Sequence, residues 1–302
     1  ATIQKTKAAG KGKWAAFQKN YLARWQLYLF LLLPIAYVII FNYIPMAGIQ
    51  IAFKKFDMTK GIWGSPWTGL ANFKRFFSAY NFWNILWNTL SLALYGLIAG
   101  FPLPILLALL INEVHNKRFK KIVQNISYLP HFFSTVIVCG IVVNMLSTSG
   151  IVNQFLSVFN LGPVAFLTNP RYFRTIYIAS GIWQGVGWGS IVYLAALSGV
   201  DPGLYESAII DGAGKLQQMW YISIPSILPI ITIQFLLSLG GLMSVGFEKV
   251  LLLYNGSVYE TADVISTYVY RRGLQSSEFS YATAVGMFES AINVLLVWAA
   301  NK

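Results

Sequence analysis

The sequence predicts an all-α, polytopic membrane protein with about six transmembrane helices. Of its 302 residues, 56% are hydrophobic and only 11% are charged, whereas a soluble globular domain carries about 25% charged residues. A soluble chain this apolar would expose large contiguous apolar patches to water. A chain surrounded by lipid, in contrast, needs apolar side chains on its outer surface as well. Long stretches without Asp, Glu, Lys or Arg alternate with short charged segments, as expected for helices that cross a bilayer.

Six segments are long enough to span the hydrocarbon core, which takes a helix of about 20 residues. Five of them fall in uncharged stretches, and the last is interrupted only by Glu289. The uncharged stretch 122–170 could hold two spans, but small and polar residues at 148–153 interrupt it, so we expect one span followed by an interfacial segment. The predicted spans are residues 26–46, 85–111, 123–146, 176–197, 224–245 and 281–300.

The positions of Lys and Arg predict the orientation of the chain. They are dense in the N-terminal tail and in the short segment 113–121, and short cytoplasmic loops are enriched in these residues. An even number of spans returns the chain to its starting side, so we expect both termini in the cytoplasm. The chain then divides into a basic cytoplasmic tail (1–26), a first membrane helix with an outer loop (27–84), and a five-helix core (85–302) that contains a polar loop at 201–225.

The net charge of +12 points to membrane lipid as a partner. Basic cytoplasmic loops meet the anionic headgroups of the inner leaflet. No basic helix or aromatic platform of the kind that binds nucleic acid accompanies the charge. We therefore expect no nucleic-acid partner.

The sequence lacks the residue clusters that catalysis or metal binding would need. His115 and His131 are far apart and lie on different elements, without carboxylates at ligand spacing. The run 212–215 resembles the end of a phosphate-binding loop, but Leu216 stands where that motif requires Ser or Thr. We therefore predict that the chain is not an enzyme and holds no catalytic residue, metal or cofactor of its own.

The loop 201–225 is the segment most informative about function. Asp201 and Pro202 are typical of a helix start, and the glycines at 212 and 214 are typical of a helix end. They predict a two-turn helix with Leu204, Ala208 and Ile209 on one face and Glu206 and Ile210 beside it. Such a helix could dock on another protein or lie on lipid. Its acidic residues, opposed by the single Lys215, favour a protein partner over an anionic headgroup layer.

The spacing within this loop resembles the EAA loop of ABC importer permeases. That pattern reads Glu-Ala-Ala, three residues, Gly, nine residues, Ile, any residue, Leu-Pro. Here Glu206-Ser207-Ala208, then Gly212, then the run 222–225 (Ile-Ser-Ile-Pro) take the corresponding positions, and Ser207 and Ile224 are mild departures. Three further segments resemble permeases that serve oligosaccharides and polysaccharides: 187–197, 260–270 and 281–286. Residues 69–73 also resemble the segment that precedes the permease core in carbohydrate importers.

The resemblance implies the fold and the partners of a type I ABC importer permease in the bacterial cytoplasmic (inner) membrane. A second permease subunit would complete a heterodimer, two ATPase subunits would bind ATP and Mg, and an extracytoplasmic binding protein would deliver the substrate. That substrate would be an oligosaccharide or polysaccharide, with an acidic polymer such as alginate among the candidates. The resemblance also places these residues in the helix that couples to the ATPase: Tyr205, Glu206, Ser207, Ala208, Asp211, Gly212 and Ala213.

Five residues inside the spans are candidates for the substrate pathway. Trp183, Gln184 and Trp188 lie in a glycine-rich part of the fourth span, and aromatic faces stack well on sugar rings. Close helix packing through small residues is the alternative explanation of these glycines. Glu289 and Asn293 lie one turn apart in the sixth span, where an ionisable residue lines a pathway, bonds between helices or carries protons.

The predicted outer face has an excess of positive charge. This field would concentrate an acidic substrate, unless the residues contact headgroups or an acidic binding protein. Glu248 and Lys249 follow the fifth span, and we expect them to be solvated at the outer interface. The basic residues are Lys54, Lys55, Lys60, Lys74, Arg75, Arg171, Arg174, Arg271 and Arg272.

Two other classes of membrane protein compete with an importer subunit. An ion-coupled secondary transporter would usually show repeated halves and several charges within its spans, whereas only Glu289 qualifies here. An integral membrane enzyme would need a catalytic cluster near the interface.

Overall fold

The computed structural model describes residues 25–300, so the predicted tail 1–26 lies almost wholly outside the described residues. Regular structure in this part of the chain is helical, apart from an isolated β-bridge between Lys54 and Trp67. Five helices among the described residues are long and apolar enough to cross a membrane. We call them the first, second, third, fifth and sixth membrane helices: Trp25–Phe53, Phe82–Glu113, Thr135–Val158, Lys215–Gly240 and Phe279–Ala300.

The fourth predicted span, 176–197, is part of a helix of 28 residues, Pro170–Leu197, which we call the central helix. It is long enough to cross a membrane but is less apolar than the five helices above. It contacts the second, third and fifth membrane helices. Because protein covers much of its surface, glycines, serines and Gln184 are tolerated where direct contact with lipid would disfavour them.

Two predicted helix boundaries are wrong. Residues 123–146 do not form one helix: a separate helix at Lys117–Tyr128 leads into a turn at Leu129–Phe132, and the membrane helix begins only at Thr135. Pro130 lies in that turn and restricts the backbone there. The fifth membrane helix ends at Gly240 instead of 245, because Asn293 Oδ1 accepts a hydrogen bond from Met243 N at 3.0 Å and holds the next segment as a turn.

The interruption predicted within 122–170 is present in the third membrane helix. The helix runs over Thr135–Leu146, breaks, and resumes over Ile151–Val158. The buried Asn153 closes the break, because its Nδ2 donates to Ser147 O at 2.9 Å and to Val164 O at 3.0 Å. A Cβ at Gly150 would lie 2.3 Å from Met145 O, so only glycine fits where the chain turns.

The helix Lys117–Tyr128, which we call the surface helix, is strongly amphipathic. Phe119, Ile122 and Ile126 form its exposed apolar side, and four basic residues from 117 to 121 lie toward its polar side. Its last turn packs tightly on the central helix, because a Cβ added to Gly187 would lie 2.0 Å from Ser127 O. The glycine therefore sets how closely these two helices approach.

We expect Gly187→Ala to destabilise the protein by about 3 kcal/mol. The added methyl group would overlap the backbone carbonyl of Ser127, which cannot move aside as the end of a flexible side chain could. The measurement is the thermal unfolding midpoint of the purified protein in detergent. Gly185→Ala, two residues away in the same helix and with no atom within 4 Å of its Cβ, is the matched control. Equal midpoints for the two variants would contradict the prediction.

A buried cluster joins the ends of three helices beneath the loop 201–225. Ala108 and Leu109 of the second membrane helix pack with Tyr193 and Leu197 of the central helix and with Ile227 of the fifth. The loop therefore leaves from, and returns to, a well-packed end of the bundle.

Candidate functional site

The chain between the central and fifth membrane helices forms a separate helix at Pro202–Ile210, which we call the loop helix. Asp201 Oδ1 accepts a hydrogen bond from Gly203 N at 2.9 Å and caps its first turn. After its last turn, Gly212 adopts a φ of +77°, a conformation that favours glycine. The predicted start and end of this helix are confirmed, although the fifth membrane helix already begins at Lys215.

Side-chain contacts tie the loop helix and the chain that follows it to the bundle. The Tyr205 hydroxyl lies 2.9 Å from the hydroxyl of Ser223, which is buried in the fifth membrane helix. Lys215 Nζ lies 3.0 Å from Glu113 Oε2, at the end of the second membrane helix. Because of these contacts, a displacement of the loop helix can be transmitted to the second and fifth membrane helices.

The seven residues predicted to couple to the ATPase divide into two groups. Tyr205, Ala208 and Ala213 are half-buried, and Tyr205 bonds to Ser223 of the bundle. The other four are exposed: Glu206, Ser207, Asp211 and Gly212. Tyr205 of the first group therefore holds the loop helix against the bundle, and the second group is open to a partner.

The two most exposed apolar side chains at this end are not among the residues of the predicted apolar face. Ile210 is 86% exposed and Leu216 is 78% exposed, whereas Ala208 is half-buried. Contiguous exposed apolar residues on one end of a protein mark an interaction surface. Ile210 could be predicted from its position in the last turn of the loop helix, two residues before Gly212, but Leu216 could be placed only from the fold.

A cavity of about 590 Å³ lies between the second, central and fifth membrane helices. Trp188 and Tyr193 line it from the central helix, and Gln234 and Ser238 line it from the fifth. An indole ring together with amide and hydroxyl groups can stack on a sugar ring and bond to its hydroxyls. Sequence reasoning missed Gln234 and Ser238, yet two polar residues at i and i+4 within an uncharged span were a usable signal.

The five predicted pathway residues do not line one cavity. Trp183 borders a separate apolar cavity of about 480 Å³ against the third membrane helix, and Gln184 Nε2 donates to Phe133 O at 3.2 Å. Asn293 holds the turn at Met243, and Glu289 is half-buried on the sixth membrane helix. Trp188 alone of the five borders the cavity of about 590 Å³, and its ring stacks on His131 with ring centroids 4.4 Å apart.

Three of the nine basic residues predicted for the outer face lie in ion pairs within the chain: Arg75, Arg271 and Arg272. Asp263 accepts hydrogen bonds from Arg271 Nη1 at 2.9 Å and Nη2 at 2.6 Å, and these bonds raise the pKa of Arg271 above its ordinary value. Arg75 Nη2 lies 2.7 Å from Glu278. Lys54 is buried, with Nζ donating to Ile62 O at 2.8 Å. Five of the nine are exposed, and of these only Arg75 lies in an ion pair within residues 25–300: Lys55, Lys60, Lys74, Arg75 and Arg171.

These features are typical of one class of protein, the transport permeases. The class combines membrane-spanning helices, a polar cavity among them and a helix that projects from one end of the bundle. Residues 100–301 match a family described as binding-protein-dependent transport system inner membrane component. This match covers about two thirds of the chain, which therefore belongs to that family.

Named relatives and solved structures agree with the family. The chain is 45% identical over 277 residues to the polygalacturonan/rhamnogalacturonan transport system permease protein YteP of Bacillus subtilis, covering 91% of this chain and 86% of the relative. It is 40% identical over 295 residues to protein LplB of the same organism, covering 97% and 92%. The chain is also similar to a chain in the crystal structure of a bacterial ABC transporter involved in the import of the acidic polysaccharide alginate. The two chains are 47% identical and superpose with a TM-score of 0.87, and the match covers 95% of this chain and 96% of the other.

These findings confirm the predicted fold class and the predicted resemblance. The chain is a multi-pass, all-α permease of the ABC importer type, and it lies in the inner membrane. The ion-coupled secondary transporter is not favoured.

Proposed function

We propose that this chain passes an acidic oligosaccharide inward through the membrane, driven by ATP hydrolysis on separate ATPase subunits. The loop helix is the observation that carries the proposal. It is bonded to the bundle through Tyr205 and presents Glu206 and the highly exposed Ile210 to a partner. A tethered helix with these properties suits a groove on an ATPase that moves when nucleotide binds.

The proposed assembly contains a second permease subunit, which makes a heterodimer, two ATPase subunits and an extracytoplasmic substrate-binding protein. One similar solved structure is a bacterial alginate ABC transporter in complex with an alginate pentasaccharide-bound periplasmic protein. ATP and Mg bind to the ATPase subunits in this proposal, and this chain supplies neither a catalytic residue nor a cofactor.

The loop helix and the basic residues support the proposed orientation. The loop helix, the surface helix and Glu113 lie at the same end of the bundle, and we assign that end to the cytoplasm, together with both termini. The four basic residues of the surface helix then lie beside the anionic inner leaflet.

The proposed substrate rests on the relatives and on the polar cavity. YteP is named for polygalacturonan and rhamnogalacturonan, and the transporter of known structure is described as importing the acidic polysaccharide alginate. A galacturonan and alginate share the uronic acid unit, a sugar ring with a carboxylate. Trp188, Gln234 and Ser238 offer stacking and hydrogen bonds to such a ring. Glu289 lies outside this cavity.

Uptake by the reconstituted complex tests the proposal. Proteoliposomes that hold both permease subunits and the ATPases are given the binding protein with galacturonate, alginate or neutral malto-oligosaccharides. We expect accumulation of an acidic oligosaccharide that needs both ATP inside and the binding protein outside. Accumulation driven by an ion gradient without ATP would support a secondary transporter, and ATP-driven uptake of neutral sugars alone would overturn the proposed substrate.

A further inference from the structure

Lys249 is a buried cation that the proposed coupling and stacking functions do not use. It lies on the short helix Phe247–Leu253, which follows the fifth membrane helix. The expectation that it is solvated at the outer interface is wrong, because only 8% of its surface is exposed. Its neighbour Glu248 is exposed. The fold therefore turns the lysine inward and the glutamate outward.

The ammonium group of Lys249 is only partly satisfied by the protein. Nζ donates one hydrogen bond, to Tyr177 O at 2.7 Å, and lies 4.8 Å from the centroid of the Tyr177 ring. An ammonium has three N–H donors. None of the four ion pairs found among residues 25–300 includes Lys249. A buried charge without a counter-charge is costly, which indicates that an anion completes this site.

The free side of the ammonium borders an open space. A cavity of about 400 Å³ lies between the second membrane helix and the central helix, and Lys249 lines it together with Tyr177 and Gln184. A Cβ at Gly181 would lie 3.0 Å from Nζ, so the absence of a side chain there keeps the ammonium within reach of a ligand. Gly96, Gly100 and Pro104 border both this cavity and the cavity that contains Trp188 and Gln234.

We infer that Lys249 binds the carboxylate of a uronic acid unit as the substrate passes the central helix. The inference rests on the proposed function and adds the group that recognises the acid. A carboxylate would supply both the missing counter-charge and acceptors for the unused N–H donors. The hydroxyl groups of a neutral sugar would supply acceptors but no charge. Trp188 and Gln234 then bind the sugar ring, and Lys249 selects for its acidic substituent.

The experiment measures equilibrium binding to the purified complex of permease and ATPase subunits, without the binding protein, so that only the permease discriminates. The two ligands are a galacturonate oligosaccharide and the same oligosaccharide with its carboxyl groups reduced to primary alcohols. We expect the wild-type complex to bind the acidic ligand about tenfold more tightly, as one charge-assisted hydrogen bond would give. Lys249→Gln should remove this preference while changing the affinity for the reduced ligand less than about twofold.

Two further variants separate recognition from structure. Lys249→Arg keeps the charge and should keep most of the preference. Lys121→Gln removes an exposed lysine of the surface helix and should leave both affinities unchanged. An equal loss of both affinities in Lys249→Gln would indicate a structural role or an ion pair with a partner subunit, and would overturn the inference. An unchanged preference, or a wild-type complex that binds the acidic ligand no better than the reduced one, would also overturn it.

The outcomes for the inference and for the proposed function are distinguishable. If proteoliposomes show no ATP-driven uptake of any acidic oligosaccharide, the proposed function fails whatever the binding data are. If such uptake is present and Lys249→Gln keeps the wild-type preference, only the role of Lys249 fails.

Discussion

Glu206→Arg is expected to reduce ATP-driven uptake at least tenfold while leaving the protein folded and inserted. Glu206 is exposed near the middle of the loop helix, and its side chain has no hydrogen bond within residues 25–300. The substitution therefore removes no contact that holds the bundle together. If the loop helix sits in a groove of the ATPase, a reversed charge in the contact costs about 2 kcal/mol or more, which exceeds a tenfold change.

The measurement is initial uptake by proteoliposomes, together with the amount of ATPase that co-purifies with the permease. Asn125→Arg is the matched control, since it introduces the same residue at an exposed position of the surface helix, at the same end of the bundle. Asn125→Arg should retain the wild-type rate of uptake and the wild-type amount of co-purified ATPase. Normal uptake by Glu206→Arg would refute the coupling role, and similar losses in both variants would show only that this end tolerates no added cation.

The loop helix could be predicted from the sequence because its limits depend on local chemistry. Asp201 needs only the neighbouring backbone N–H groups to act as a cap, and Gly212 needs only its own freedom to adopt a positive φ. The same holds for the long membrane helices, whose apolar composition is itself the signal. Structural features that depend only on interactions between residues close together in the chain can therefore be predicted from the sequence.

The surface helix was missed because the predicted span 123–146 began in its middle. Phe119, Ile122, Val123 and Ile126 follow a helical spacing, with lysines and arginine on the other face. An uncharged window beginning after Lys121 shows only the apolar half of this pattern. The helical periodicity of apolar residues therefore predicts this helix correctly, whereas hydropathy alone places the start of the membrane helix too early.

The cavities could not be predicted, because residues distant in sequence form them. Lys249 bonds to Tyr177, 72 residues away, and Asn293 bonds to Met243, 50 residues away. A lysine outside any span looks solvated until the fold places it against the central helix. Likewise, the outer arginines look free until Asp263 and Glu278 are found beside them.

Asp263→Ala is expected to destabilise the protein by about 3–5 kcal/mol, because it leaves a partly buried arginine without its counter-charge. The Asp263 carboxylate accepts two hydrogen bonds from Arg271 and one from Thr267 Oγ1 at 2.9 Å. The Asp263 side chain is only 10% exposed, and that of Arg271 is 26% exposed. The measurement is the unfolding midpoint of the purified protein in detergent, by heat and by denaturant.

A second ion pair provides the control, because its shortest N–O distance is similar but both of its side chains are more exposed. Arg75 Nη2 is 2.7 Å from Glu278 Oε1, and the Arg75 side chain is 53% exposed. Glu278→Gln should therefore cost no more than about 1 kcal/mol. The double variant Asp263→Leu with Arg271→Met should recover most of the stability lost in Asp263→Ala, since it removes both charges together. If the double variant is as unstable as Asp263→Ala, the loss comes from packing or from the Thr267 bond, and the unpaired charge is not its cause.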